Sequence, residues 1–243
     1  EELFFFGPHL GNLAYEIGNP DLEAERALGL DLALRGRGAR FEGEVSFFRN
    51  SIANFIFRNP ISDDEFAARE EEFDARFGVE HGEEEGDGGH GGDLPFVEFV
   101  GRDATLWGLE AHGDVKITPE WITEFTFDMV RGSLADTDEP LPRIPPYRGI
   151  LGVRYQRGGF QVGTAVTSVA AQNRVFGSEL PTSGYTTARA YGSYSFTSGR
   201  VLHTVTARLE NATNERFRNH LNYLKDQLLE MGRTFRLVYT VGF

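Results

Sequence analysis

Three features of the 243-residue sequence predict an all-β fold, and within that class the wall of a transmembrane antiparallel β-barrel. Apolar residues recur at every second position and keep one parity through each segment, which is strand behaviour. Connections alternate in length, with short turns near 36, 119, 158 and 199 and long ones at roughly 58–94, 132–146, 172–184 and 212–231. Barrels that cross membranes have short turns on one side and long loops on the other. The segments run to about 10–15 residues, beyond the five or six usual in soluble sheets and enough for a tilted strand to cross a bilayer.

Taken in order, Leu28, Leu30, Leu32 and Leu34 share a face, and Arg35-Gly36-Arg37-Gly38 supplies a turn. The return segment places Phe41, Val45, Phe47, Ala53, Phe55 and Phe57 on one face against Glu42, Glu44, Ser46, Asn50 and Asn54. Trp107, Leu109, Ala111, Val115 and Ile117 then oppose Glu110, His112, Asp114 and Lys116. After Thr118-Pro119-Glu120, Trp121, Phe125, Phe127 and Met129 oppose Glu124 and Asp128. Tyr147, Leu151, Val153 and Tyr155 turn at Arg157-Gly158-Gly159 into Phe160, Val162, Thr164 and Val166. Ala188, Ala190, Tyr194 and Phe196 turn at Ser198-Gly199 into Val201, Val205, Ala207 and Leu209, and Phe235, Leu237, Tyr239, Val241 and Phe243 close the chain. That makes about nine strands. The acids opposite the apolar face suit a wet lumen, and Trp121, Tyr147, Tyr155, Phe160, Tyr194 and Phe196 gather near strand ends, where an interfacial girdle forms.

Composition narrows function more by exclusion. Gly 29, Phe 21 and only 40% hydrophobic residues are unusual for a compact soluble protein, yet expected where only half of each strand faces lipid. No stretch approaches the 18 or so consecutive apolar residues of a membrane-spanning helix. A net charge of -13 disfavours nucleic acid, whose binding rewards Lys and Arg. Much of that charge is local, because 13 acidic residues stand against Arg69 and Arg76 between Ser62 and Asp93. Without Cys there are no disulfides, Cys-based metal sites or Cys nucleophiles. No nucleophile elbow, P-loop or dinucleotide fingerprint appears, and same-face pairs such as Glu42/Glu44 arise routinely on a strand, so the sequence is not read as an enzyme.

Asn19-Pro20-Asp21-Leu22-Glu23-Ala24-Glu25, just before a strand, is similar to the Asn-Pro-Asp-Leu-Lys-Pro-Glu segment of TonB-dependent outer-membrane receptors, with Ala24 in place of the usual Pro. Glu210-Asn211-Ala212-Thr213-Asn214-Glu215-Arg216-Phe217 resembles that family's exit from the penultimate strand. The alternating end with Tyr239, Val241 and terminal Phe243 resembles the aromatic signal read by the barrel-assembly machinery. Pro8-His9-Leu10, Arg218-Asn219-His220-Leu221 and Leu224-Lys225-Asp226 are similar to the zinc-uptake subgroup. The resemblance implies a multi-pass barrel in the outer membrane of a Gram-negative bacterium, with 22 strands, an amino-terminal plug and a TonB box that couples uptake to TonB–ExbB–ExbD through the plug. On that reading residues 1–243 are a partial barrel domain holding the last nine or so strands, with an acidic external loop at 58–94 and no plug or TonB box, and outer-membrane lipid surrounds them. No nucleic acid and no bound cofactor are expected, apart from Zn²⁺ as a transported or loop-bound ion.

Candidate metal ligands lie in that acidic loop. His81, Asp87, His90 and Asp93 combine imidazole and carboxylate with glycines that let ligands converge, which suits Zn²⁺. The same run reads equally as a solvated acidic loop, since blocks of like charge usually are. His220, in the last external loop, is a candidate substrate contact or a hydrogen-bond partner for a neighbouring loop. His112 sits on the lumen parity and His203 on the apolar parity near the short-turn end. Phe73, Phe77 and Phe176 would line an aromatic external basin if the cargo were a ferric siderophore or haem. A passive barrel without a plug and a secreted Ca²⁺-binding β-protein are the remaining alternatives.

Overall fold

The computed structural model describes residues 2–78 and 94–243. Nine long strands form the wall: β3 (Arg26–Arg37), β4 (Phe41–Pro60), β5 (Phe96–Lys116), β6 (Trp121–Leu134), β7 (Arg148–Arg157), β8 (Phe160–Val169), β9 (Tyr185–Ser198), β10 (Val201–Glu210) and β11 (Thr234–Gly242). Each pairs antiparallel with the next in sequence order, and the sheet is open, with β3 and β11 at its two edges. Ahead of them, β1 (Phe6–His9) and β2 (Ala14–Ile17) make a short hairpin that the alternation did not reveal. β2 runs parallel to the start of β5, pairing Tyr15 with Phe96 and Ile17 with Glu98.

The register carries one apolar surface around the sheet. Leu34 faces Val45, which faces Ala111, and Ala111 faces Phe127. Farther round, Leu151 faces Val166, Val166 faces Ala188, and Tyr194, Val205 and Tyr239 lie in one row. Because side chains alternate across a strand, a register that matches apolar to apolar at every step leaves the acids together on the other face. From Ile117 to Trp107 ten residues, at ~3.3 Å each and a tilt of ~40°, rise ~25 Å, the height of a barrel's apolar band. Its short-turn border is a chain of ring contacts. Trp121 meets Tyr155 at 5.0 Å and Tyr155 meets Phe160 at 6.4 Å, while Phe196 stacks on His203 at 4.9 Å and His203 Nδ1 lies 2.6 Å from the Tyr239 hydroxyl.

Two expectations change. The face assigned to β4 does not persist along its length. Between Ile52 and Phe55 the register slips by one residue against β5, and Asn54 takes a left-handed φ of 56°. A β-bulge of this kind inserts a residue and turns every later side chain to the opposite face. Phe41, Val45 and Phe47 therefore face outward with Leu109 and Ala111, whereas Phe55 and Phe57 pair with Arg102 and Val100 on the inward face. There Phe57 is buried with Ala104, Leu134, Leu141 and Phe176.

The acidic segment 58–94 is also not a plain loop. β4 continues to Pro60, β5 begins at Phe96, and α1 (Asp63–Phe77) lies between. Ser62 caps α1, accepting from the Glu65 backbone N–H while the Glu65 carboxylate accepts in return from the Ser62 N–H. Asp63, Asp64 and Glu65 lie in its first turn, where the helix dipole favours anions, and Gly78 closes it at φ 65°. The dipole thus favours the three first-turn acids, and farther along the helix Glu72 pairs with Arg69 at 3.0 Å. Phe66 anchors it, 3% exposed, stacking on Phe96 at 3.9 Å and meeting Tyr15 edge-on at 5.2 Å. Arg76 completes the attachment with two hydrogen bonds to Asp21, at 2.7 and 3.1 Å.

Candidate ligand-binding vestibule

At the long-loop end a cavity of about 960 Å³ opens between the β1–β2 hairpin, the inward upper part of β4, and the loops following β6, β8 and β10. The bulge at Asn54 positions its floor, because only after that slip do Phe55 and Phe57 turn inward. Leu10, Leu180 and Tyr223 add apolar and aromatic surface, and Arg58, Arg143 and Lys225 bring positive charge.

Two carboxylates, Glu16 buried behind the wall and Glu179 half-buried in it, brace the cavity. Glu16 on β2, 1% exposed, accepts from Asn12 Nδ2 and Arg58 Nη1 at 2.8 Å each, and His9 Nδ1 lies 3.2 Å from its other oxygen. Burial alone would raise its pKa, but the hydrogen bonds from Asn12, Arg58 and His9 outweigh that and hold Glu16 below its ordinary value. Glu179 joins three loops. Its Oε1 accepts from Lys225 Nζ at 2.7 Å and lies 3.1 Å from His220 Nε2, and its Oε2 accepts the Arg143 backbone N–H at 3.1 Å. Burial opposes the charge here too, and Lys225 and the Arg143 amide prevail, so the Glu179 pKa is lowered.

His220 is 2% exposed, and its Nδ1 lies 3.0 Å from the Thr182 hydroxyl. The 3.1 Å approach of its Nε2 to Glu179 lies outside hydrogen-bonding geometry, which leaves Nε2 without a partner. Burial, then the neighbouring Lys225 charge, depresses the His220 pKa and keeps the ring neutral near pH 7. The side chain thus ties the loop after β8 to the loop after β10.

Lys225 pairs with Glu179 and Arg58 with Glu16, so among the described residues of the vestibule Arg143 is the cation left without an ion pair. Its guanidinium lies 3.3 Å from the Tyr223 ring centroid, Arg58 lies 4.7 Å from the same ring, and Arg143 also donates to the Leu221 carbonyl. Burial lowers the Arg143 pKa, with Glu179 opposing and Arg58 adding to the shift. A cavity walled by phenyl and phenol rings, with a guanidinium that has no ion pair among the described residues, can take an anionic or aromatic group. Among the described residues no three His, Asp or Glu side chains converge as metal ligands.

Sequence-predicted residues separate accordingly. His81, Asp87, His90 and Asp93 lie outside the described residues. His112 faces the lumen opposite Glu44, and His203 lies in the aromatic border already described. Tyr239 and Val241 sit on the outward face of β11, and Phe243 is fully exposed. Phe73, Phe77 and Phe176 do not share one basin. Phe73 stacks on Phe6 at 5.1 Å and meets Phe77 at a tilt, 4.6 Å away, beside a smaller pocket at α1, whereas Phe176, packed edge-on against Phe57, lines the vestibule. Sequence reading missed Glu16, Glu179, Arg58, Arg143 and Tyr223, since nothing in their spacing marks residues brought together across 165 positions, as Arg58 and Tyr223 are.

A family model described as TonB dependent receptor-like, beta-barrel, matches residues 1–214. The chain belongs to the TonB-dependent receptor β-barrel family. Solved structures share the fold of this receptor wall. The copper transporter OprC superimposes with a TM-score of 0.74 at 20% identity, over 99% of this chain and 34% of that one. The FrpB iron transporter from Neisseria meningitidis gives 0.63 at 12% identity, over 94% and 33%. The ferric enterobactin receptor PfeA from Pseudomonas aeruginosa gives 0.60 at 19%, over 94% and 32%. The chain spans about a third of the length of these structures. Membership confirms the resemblance at family level and the reading as a receptor rather than an enzyme, and the zinc-uptake subgroup is not distinguished by it.

Proposed function

We propose that this wall belongs to an outer-membrane receptor of a Gram-negative bacterium that imports a metal-bearing nutrient by TonB-dependent transport. The observation that carries the proposal is the unbroken outward apolar band beneath a loop-walled vestibule, which is the arrangement of a membrane port with an external ligand site. On this proposal the plug and TonB box belong to the parent protein outside these residues, TonB–ExbB–ExbD supplies energy through the plug, and the barrel-assembly machinery reads Tyr239, Val241 and Phe243. Zinc is the proposed cargo, with His81, Asp87, His90 and Asp93 as its first point of capture. The copper and iron transport named for OprC and FrpB supports a metal cargo in general and does not single out zinc.

A second reading is a ferric siderophore or other anionic chelate. One observation favours it, the surplus Arg143 guanidinium against Tyr223 in a cavity without a convergent metal-ligand set among the described residues. Uptake of radiolabelled zinc and of labelled ferric chelates by cells carrying the full-length receptor separates the two. His81→Ala/His90→Ala removes zinc uptake under the first reading, Arg143→Ala removes chelate uptake under the second, and both require TonB. Uptake of neither class, or uptake that persists without TonB, would refute the proposal.

A further inference from the structure

We propose that the upper rim of the outward face binds a phosphate group of an outer-leaflet lipid through Arg49 and Arg131. This rests on the outer-membrane reading and adds a site on the opposite face of the sheet from the vestibule. The registers define three successive outward rows across β4, β5 and β6. Phe47, Leu109 and Met129 lie in the first, Arg49, Trp107 and Arg131 in the second, and Ser51, Thr105 and Ser133 in the third. The surface therefore passes from apolar to cationic and aromatic to hydroxyl within four residues of each strand.

An arginine on the lipid face is strongly disfavoured at the bilayer midplane and almost without cost near the interface, so the Arg49–Trp107–Arg131 row marks the headgroup level. The two arginines stand two strands apart, ~9.6 Å between backbones, within reach of one phosphate bridged across Trp107. Arg131 is already oriented. Its Nε donates to the Tyr147 hydroxyl at 2.5 Å and its guanidinium lies 5.6 Å from that ring centroid, which fixes the fork. Two arginines on the inward face of the neighbouring strands pair with carboxylates, Arg148 with Asp128 at 2.9 Å and Arg154 with Glu124 at 3.1 Å. Among the described residues neither Arg49 nor Arg131 has such a partner. A guanidinium fork matches phosphate oxygens two at a time, and on a face turned to the bilayer the available anions are lipid phosphates.

The test uses the full-length receptor, reconstituted in phosphatidylcholine nanodiscs containing either phosphorylated lipid A or the same lipid A enzymatically dephosphorylated, with retained lipid counted by native mass spectrometry. Wild type should retain the phosphorylated lipid in preference, and Arg49→Gln/Arg131→Gln should lower retention roughly tenfold, about one charge-assisted contact's worth. Arg148→Gln, on the inward face, should leave it unchanged, and heat-dependent electrophoretic mobility reports that each variant is folded. Equal retention of both lipids by wild type, or unchanged retention in the double variant, overturns the proposal. If the double variant does not fold, the comparison of the two lipids on wild type decides. Failure of the outer-membrane reading would show separately, as a receptor missing from the outer-membrane fraction.

Discussion

Glu179→Ala tests whether the vestibule is built on one carboxylate. In the wild-type protein that side chain compensates Lys225, itself 7% exposed, accepts the Arg143 amide, and stands beside His220. Removing it leaves a buried ammonium without its anion and a part-buried amide without its acceptor. Breaking a buried pair from one side costs about 3–5 kcal/mol, and the lower figure applies because the Glu179 side chain keeps 13% of its surface in contact with solvent. About 3 kcal/mol of lost local stability is a ~150-fold rise in loop opening, since ~1.4 kcal/mol is a factor of ten. The measurement is amide hydrogen exchange on the full-length receptor in detergent, comparing residues 171–184 and 211–233 with β8 and β9. Exchange should rise in both loops together and stay unchanged in the strands. Glu179→Gln, which keeps an acceptor and loses the charge, should give a smaller effect of the same pattern. If the loops exchange at wild-type rates, or if only the loop carrying Glu179 responds, the clasp does not couple them and the reasoning fails.

Other outcomes follow from the same geometry. Environment-sensitive labels on single cysteines at 47, 55 and 57 should be quenched by nitroxide lipid at 47 only, because the bulge turns Phe55 and Phe57 inward; quenching at 57 would mean the face does not switch. Phe57→Ala should destabilise the folded receptor by about 3–4 kcal/mol, read as a lower urea midpoint, since it empties a cluster in which Phe57 is 5% exposed. The depressed His220 pKa makes the opened loops bind more protons than the closed ones. Its contribution is complete above the opened-state value near 6.5 and declines as pH falls from there through the lower closed-state value, so corrected protection in both loops should fall below pH 6.5 and be flat in His220→Gln. Asn54→Val should cost more than Asn54→Gly in the urea midpoint, by ~1–2 kcal/mol, because a β-branched residue resists the left-handed φ that Asn54 adopts.

Why the wall was legible and the vestibule was not follows from the range of the forces involved. Each membrane-facing strand must present apolar groups at every second position, so the outward faces from β5 to β11 could be read residue by residue, and the register joins those same residues into one surface. β4 fails that reading at one position, because a single inserted residue inverts parity without altering the alternation on either side of it. Asn50 and Asn54 are both polar residues in an alternating run, and only the slip against β5 distinguishes the one that bulges. α1 was obscured by charge. Ser62 with Glu65 is a capping box, and Phe66, Phe73 and Phe77 recur at helical spacing, yet the acids around them suggested solvated loop.

The vestibule depends instead on contacts between loops that no local pattern encodes. Arg143 follows a Pro in a loop, Glu179 sits between Ser178 and Leu180, and Lys225 stands out in the sequence only through the motif that Leu224-Lys225-Asp226 resembles. What gives them meaning is burial, because a carboxylate beside water is ordinary and one held nearly out of water between Lys225 and His220 must be paired to persist. The same reasoning separates the two arginine populations of the wall. Arg148 and Arg154, facing the lumen, meet carboxylates supplied by the protein, whereas Arg49 and Arg131 face outward with no carboxylate partner among the described residues, at the level where we propose that a lipid provides the anion. Where a charged group finds its counterion is thus set by the face its strand parity assigns it, and on a barrel wall a one-residue slip of the Asn54 kind exchanges one source of counterion for the other.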